Sequence, residues 1–425
     1  MFKLTKLKNG LRVVNVPLKG TQAITVLILV RAGSRYESEK ENGLAHFLEH
    51  MFFKGGKRYP NTLAVAEAID NVGGIFNAYT DKEVVGYWVK IASSHLSRAL
   101  DVLSDMLLGA KFEPKEIEKE KGVIIEEINL YEDNPLFSIN DLFEETIFGS
   151  SPLGRKIVGK KENIKIFRQE NFLNYLKKFY YPSNMIIALA GEIKNQNNII
   201  KLIEKYFIFS PLKSKQLKKI RFSRTKRRNF SLHYKKTDQA HLVLGFWGLP
   251  FADQSLPILL VLDAILGGSM SSRLFISVRE KRGLAYSIRS QVESYTDTGY
   301  WSVYAGTGIN QIDKTIKIII KEIKRIKEQS IDLKEIKKGK ELIKGRTILA
   351  MEDSEYLANY FALKALLAPR KIDTPNQFFK KIDSVTINQI KNLAQKIFTP
   401  SNLNLTIMGP YKNKGLFNKI LKLSF

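Results

Sequence analysis

Histidine is scarce in this chain. Five occur in 425 residues, at positions 46, 50, 95, 233 and 241, and two of them frame an acid in the run His46-Phe47-Leu48-Glu49-His50. Chance would place a histidine pair at that separation roughly 0.06 times in such a chain, and requiring an acid at position 49 lowers this about tenfold. Helical geometry gives the run its chemistry, because residues four apart share one face and residue 49 lies beside them. Two imidazoles can then bind one zinc ion while Glu49 reaches a water in the open coordination position. The plain alternative, two ordinary histidines, leaves the polar groups of HxxEH embedded in an apolar helix, which is costly without a metal. That plain reading does suit His95, His233 and His241.

A catalytic zinc usually takes three protein ligands and keeps a fourth position for water, so one ligand must come from elsewhere. The chain has no cysteine, which leaves His, Asp or Glu as donors and fits a reducing cytoplasm. The acidic stretch from Glu113 to Glu127 is the natural source. Within it Glu120 and Glu127 stand seven residues apart, two helical turns on one face. Both can point at the metal helix, one as ligand and one behind it.

The elements that would position these groups are written twice. Tyr181-Pro182-Ser183-Asn184-Met185, running on to Gly191, recurs as Thr399-Pro400-Ser401-Asn402-Leu403, running on to Gly409. Each copy follows an amphipathic stretch, Phe172, Tyr175, Leu176 and Phe179 in the first and Ile390, Leu393, Ala394 and Ile397 in the second. Upstream, the strand-like runs Ile24 to Val30 and His241 to Trp247 each precede a helix. The first of these helices carries HFLEH and runs into Phe53-Lys54-Gly55-Gly56; the second, with Ile258 to Leu262, runs into Leu266-Gly267-Gly268 and holds apolar residues where the first has ligands. The expectation is an internal duplication: a metal-bearing domain over 1–209, a basic linker over 210–228, and a homologous domain over 229–425 without ligands. Long amphipathic helices such as Leu96 to Leu108 alternate with strands that come singly and in adjacent pairs. This predicts an α+β class, each domain a mainly antiparallel sheet covered by helices.

Composition limits the alternatives. A hydrophobic content of 44% supplies ample core for two or three domains. No run approaches the roughly 18 apolar residues that span a bilayer. The start, MFKLTKLKNGLRVV, lacks the apolar core and cleavage site of a signal peptide and reads as a strand of the mature protein. The net charge of +26 admits a nucleic-acid partner, but lysines are spread along the chain without a recognition motif. The one dense run, Lys213 to Arg228, reads as a solvated linker.

The context of HFLEH carries a resemblance. HxxEH inverts the zincin motif, and Gly43-Leu44-Ala45-His46-Phe47-Leu48-Glu49-His50-Met51-Phe52-Phe53-Lys54-Gly55 resembles the pitrilysin, insulinase and mitochondrial processing peptidase family. The likeness extends to Phe76-Asn77-Ala78-Tyr79-Thr80, similar to the family's edge strand for substrate, and to Glu120-Lys121-Gly122-Val123-Ile124-Ile125-Glu126-Glu127, similar to its segment for the third ligand. Pro152-Leu153-Gly154-Arg155 fits as well, so the resemblance covers nearly the whole chain. It implies Glu127, rather than the adjacent Glu126, as ligand and Glu120 as the supporting acid. In the second half, Leu266-Gly267-Gly268-Ser269-Met270-Ser271-Ser272-Arg273-Leu274-Phe275 and then Arg279-Glu280-Lys281-Arg282-Gly283-Leu284-Ala285-Tyr286 resemble the substrate-side motif, which puts Arg279 and Tyr286 in its Arg/Tyr pair. From the residues alone, Tyr286 could equally be core.

What the resemblance implies is a zinc metalloendopeptidase of the processing-peptidase and LuxS-like metallohydrolase fold type, with one Zn²⁺ per chain. Glu49 would be the base, Phe76 to Thr80 would take peptide as an added strand, and unstructured peptides would be cut in a closed chamber. Family members of this length usually work as dimers, so a homodimer sharing its sites across the interface is expected. A non-catalytic partner subunit and a basic nucleic-acid-binding protein are the rival readings.

Overall fold

The computed structural model describes residues 2–209, 221–224, 229–329, 331–370, 372–415 and 417. The expected linker over 210–228 therefore lies outside the described residues apart from 221–224. The chain forms two compact units. One comprises the described residues of Met1–Leu130, Arg155–Ile220 and Leu349–Ile372, the other those of Tyr131–Gly154, Arg221–Ile348 and Asp373–Phe425.

The first unit is built on strands β1 (Lys3–Lys6), β2 (Arg12–Pro17), β3 (Ala23–Val30), β4 (Ile75–Thr80), β5 (Val85–Ala92) and β6 (Met185–Gly191), ordered β1-β2-β6-β3-β5-β4. Only β2 and β6 run parallel; the other neighbours are antiparallel. β3 reads AITVLILV without a polar alternation because both its faces are covered. On one face Leu27 and Leu29 join Val14, Ile186 and Ala188 in packing against Leu357, Ala358, Phe361 and Ala365 of the helix Ser354–Leu367. That helix is pinned at both ends. Asp353 caps its first turn through the N–H groups of Glu355 and Tyr356 and is paired with Lys90, and Arg12 donates to the carbonyl of Ala365 at 2.5 Å. The helix Leu96–Leu108 lies against β3 and β5.

The second unit holds β7 (Asn229–Tyr234), β8 (Gln239–Trp247), β9 (Ala285–Ser294), β10 (Gly299–Gly308) and β11 (Leu403–Gly409), ordered β7-β11-β8-β10-β9. Its single parallel pair among the described residues is β11 with β7. Strand for strand the order matches β2-β6-β3-β5-β4 of the first sheet, parallel pair included. The helix Pro135–Phe148 covers β11, β8 and β7, with Ile139, Phe143 and Phe148 packed on Val243, Trp247 and Tyr300. The main core, around Trp301, Leu262, Ile319 and Phe398, contains the helices Leu256–Leu266, Ile312–Glu328 and Ile387–Ile397.

Each sheet thus takes one covering helix from the other half of the sequence: Ser354–Leu367 closes the first sheet and Pro135–Phe148 the second. Amphipathic spacing shows that such helices bury a face, and does not show against what. The repeated Pro-Ser-Asn segments both form a 3₁₀ turn ahead of a strand. In the first, the Asn184 amide donates to the carbonyls of Phe179 (2.8 Å) and Arg31 (3.0 Å). In the second, Asn402 donates to the carbonyl of Ile397, the position equivalent to Phe179, at 3.3 Å. The asparagine therefore adds a second donor to a carbonyl at the end of the preceding helix, which also accepts the backbone N–H of Tyr181 or Thr399.

Replacing buried Asn184 by Ala removes the amide donor from the Arg31 carbonyl and leaves the Phe179 carbonyl with only the Tyr181 N–H, and should cost about 1–3 kcal/mol, read as a lower urea midpoint. Asn402→Ala, with its one longer and half-buried bond, should cost less; equal losses would contradict this account.

Candidate metal centre

The helix Leu44–Phe52 begins at Gly43, whose φ of +101° is the left-handed region that favours glycine. No residue at its own N-cap supplies a side-chain acceptor. Glu37, 2% exposed, does so from the preceding segment. Its Oε1 accepts the Ala45 N–H at 2.6 Å, and its Oε2 accepts the Gly43 N–H at 3.0 Å and the Asn42 amide at 3.2 Å. A carboxylate here also faces the positive end of the helix dipole. Burial pushes the Glu37 carboxyl up to about 7, against the pull of the Ala45, Gly43 and Asn42 donors.

The segment that carries Glu37 is itself fixed to the hairpin between β4 and β5. Ser34 and Arg35 donate backbone N–H groups to the carbonyls of Asp81 and Lys82, and Arg35 forms a buried ion pair with Glu83 at 2.7 Å. Gly33 sits so close that a Cβ would lie 2.3 Å from the Asp81 carbonyl oxygen. Arg155 donates to the Glu37 carbonyl at 2.9 Å, and Lys82 Nζ reaches the Arg155 carbonyl at 2.6 Å. The start of the metal helix and the end of the edge strand thus share one support.

His46 and His50 project from one side of that helix, their ring centroids 4.7 Å apart. Opposite them stands Glu127 of the helix Pro114–Asp133. Its Oε1 is 3.5 Å from His46 Nε2 and its Oε2 is 3.4 Å from His50 Nε2. Both separations exceed a good N–H···O bond of about 2.7–3.2 Å. Each, measured to a different oxygen of Glu127, is near the ligand–ligand spacing of about 3.3–3.4 Å in a tetrahedral site with metal–ligand bonds of about 2.0–2.1 Å. One donor atom from each residue lies within 4.8 Å of the others. The two nitrogens and one carboxylate therefore fit a zinc ion with an open position. Glu126 is exposed and stands outside the group.

Glu120, two turns before Glu127, accepts from His50 Nδ1 at 2.9 Å through Oε1, and its Oε2 is 2.5 Å from Lys54 Nζ. Burial opposes the charges in this cluster, but the contacts outweigh it. His50 is pushed down by burial yet held up at about 9 by the Glu120 and Glu127 carboxylates. Burial raises Glu127, and the two imidazoles bring it down to about 2. Glu120 is lowered by His50 and Lys54 against its own burial. Glu49, on the same helix, accepts the Thr80 hydroxyl at 2.5 Å.

β4 lies at the sheet edge, paired only with β5 among the described residues. Its side chains divide between the faces. Phe76 packs on Phe53 with centroids 5.7 Å apart, Thr80 reaches Glu49, and Tyr79 donates to Asn359 at 2.8 Å on the far side. Asn77 folds back to accept the Ala78 N–H at 2.8 Å. In the second unit a π-helical turn, Phe275–Glu280, brings the guanidinium of Arg279 over the ring of Tyr286 at 5.2 Å. Tyr286 is 76% exposed, which excludes the core reading.

Glu37, Lys54 and Arg155 carry no site signal in the sequence, and Thr80, which the resemblance places with substrate, meets Glu49 in the structure. A lone acid nine residues before His46 gives no periodic signal, and Lys54 is one cation among 68 lysines and arginines. Its position four residues beyond His50, one helical turn, is the only clue the sequence offers.

Comparison with known proteins agrees with this geometry. Residues 12–161 match the family described as insulinase (peptidase family M16), and residues 167–343 match the peptidase M16 inactive domain. The chain is 36% identical over 415 residues to the uncharacterized zinc protease YmxG of Bacillus subtilis, covering 97% of this chain and 99% of that one. It is 29% identical over 441 residues to a probable mitochondrial-processing peptidase subunit beta of Arabidopsis thaliana, covering 100% of this chain and 81% of that one. A crystal structure of a protease from Helicobacter pylori shares the fold, with a TM-score of 0.91 at 22% identity over 96% of this chain and 99% of that one. With two imidazoles and a carboxylate at ligand spacing in its first unit, and a second unit of the same topology without them, the chain belongs to the insulinase family, peptidase family M16, of zinc metallopeptidases.

Proposed function

We propose that this chain is an endopeptidase for unstructured peptides, with one zinc ion per chain held by His46, His50 and Glu127. The observation that carries the reading is the meeting of His46 and His50, on the helix that also bears Glu49, with Glu127 of a second helix. When bound there, zinc supplies Lewis acidity to a scissile carbonyl and acidity to a water. Glu49 takes the proton of that water and returns it to the leaving amine, its carboxylate aimed by the Thr80 hydroxyl. Glu120 orients the His50 ring through Nδ1.

Peptide adds along the free side of β4, whose backbone is the available part of that strand now that the Tyr79 and Thr80 side chains are engaged. Recognition through main-chain bonds suits varied sequences in extended form. Arg279 and Tyr286 donate hydrogen bonds to the carbonyl under attack or to a neighbouring one, and the exposure of Tyr286 beside the guanidinium supports a role facing substrate. In the proposed homodimer, each site joins the metal ligands of one subunit to Arg279 and Tyr286 of the other, in a closed chamber. The lack of cysteine supports a cytoplasmic setting, and no helix among the described residues is long and apolar enough to cross a membrane. A non-catalytic partner subunit is disfavoured because ligands and base are all present.

Glu49→Gln should lower kcat about 10²–10⁴-fold while zinc content by atomic absorption stays near one per chain; retained activity would remove Glu49 from the mechanism. Tyr286→Phe should lower kcat by up to about 10²–10³-fold if it serves the developing oxyanion, and sedimentation should give a dimer as the active species.

The charges in the cluster predict a pH signature. His50, raised to about 9 from 6.5, adds stability to metal-free protein that is complete below about 6.5 and lost as pH rises through about 9. Glu127, held at about 2 instead of 4.5, adds stability complete above about 4.5 and lost as pH falls through about 2. Metal-free protein should therefore lose thermal stability between pH 6.5 and 9 more steeply than zinc-loaded protein. Zinc uptake at pH 7 should release about one proton, measured by calorimetry in buffers of different ionisation enthalpy.

A further inference from the structure

We infer that Lys54 is a positioning residue of the metal centre, acting through Glu120 on His50 and on the placement of Glu127. The inference rests on the assignment of His46, His50 and Glu127 as metal ligands. Lys54 lies just past the metal helix, one turn beyond His50. Its Nζ stands 2.5 Å from Glu120 Oε2, while Glu120 Oε1 meets His50 Nδ1 at 2.9 Å. The Glu120 side chain is 4% exposed, so water does little to hold it. The carboxylate is held from each side, by the ammonium as an ion pair at Oε2 and by the imidazole as a hydrogen bond at Oε1, and the ion pair is what keeps Oε1 turned to the imidazole.

Two consequences follow for the metal. A bond at Nδ1 fixes both the ring orientation and the tautomer in which Nε2 presents its lone pair to a metal. His46 has no such device among the described residues, since its Nδ1 is buried there without a hydrogen-bond partner. The pair is therefore oriented from outside at His50 alone. Glu120 also sits on the same helix as Glu127, two turns or about 10 Å away along the axis. By binding both Lys54 and His50, it fastens the acidic helix to the metal helix at a second point and sets the register at which Glu127 arrives. Without the ammonium, a buried carboxylate left with one partner swings toward another donor, which draws Oε1 off Nδ1 and loosens both ligands.

The test is zinc affinity of the full-length protein, measured by competition with a chromophoric chelator at fixed pH. Lys54→Met should weaken zinc binding about 10- to 100-fold, the usual loss for an outer partner of a metal ligand. Lys54→Arg, which keeps a cation on Glu120, should restore most of the affinity. In a Glu120→Gln background, Lys54→Met should cost little further, because its route is already cut. The inference is overturned if Lys54→Met binds zinc as tightly as wild type, or if it costs as much in the Glu120→Gln background as alone. Should Lys54→Met not fold, Lys54→Gln is judged by the same two readings. Failure of the wild-type protein to bind zinc would overturn the ligand assignment instead, which separates the two outcomes.

Discussion

The first turn of the Leu44–Phe52 helix is buried, and its backbone N–H groups must find acceptors where water cannot serve. Glu37 answers that demand with both carboxylate oxygens. Because Glu37 belongs to a segment bonded to the turn after β4, the helix that carries His46, Glu49 and His50 is placed relative to the strand that carries Thr80. The hydroxyl of Thr80 can then meet the carboxylate of Glu49. Without an anchored helix start, neither the spacing of the three candidate donors nor the Thr80–Glu49 contact would hold to the tolerance that a catalytic site requires.

A second demand is electrostatic. Five ionisable groups, His46, His50, Glu120, Glu127 and Lys54, crowd a partly buried volume. They are tolerable together because opposite charges alternate: the Lys54 ammonium on Glu120, Glu120 on His50, His50 on Glu127. Burial works against each ionised carboxylate, and the contacts outweigh it. A divalent ion is the natural completion of such a chain, since it replaces the proton between His50 and Glu127 with a charge that both can bind.

What was legible in the sequence was whatever repeats or recurs at a fixed spacing. His46, Glu49 and His50 follow from helical periodicity, the two acids at 120 and 127 from a separation of two turns, and the paired sheets from the doubled Pro-Ser-Asn segment. The choice of Glu127 over Glu126 needed the family resemblance, and the structure explains it by placing Glu126 in solvent. Lys54 and Arg155 stayed hidden because each acts through long-range contacts, with Glu120 and with the Glu37 carbonyl, and Glu37 because its bonds to Asn42, Gly43 and Ala45 follow no helical or strand period. Arg279 and Tyr286 come together through a π-helical turn, a geometry that spacing of seven across a glycine does not disclose. The covering helices were recognisable as amphipathic, but their partners were not, since burial of a face says nothing of which sheet receives it.

That last feature governs how the chain can be made. The six strands of the first sheet are complete once β6 has been synthesised at Gly191, yet the helix that closes one of its faces begins only at Ser354. At about 5–20 residues per second, translation needs roughly 8–33 s to cover that interval. Throughout it Val14, Leu27, Leu29, Ile186 and Ala188 have no cover of their own. A nascent chain of this protein therefore leaves the ribosome with a bare apolar sheet for seconds at a time, a window in which chaperones have a defined surface to hold.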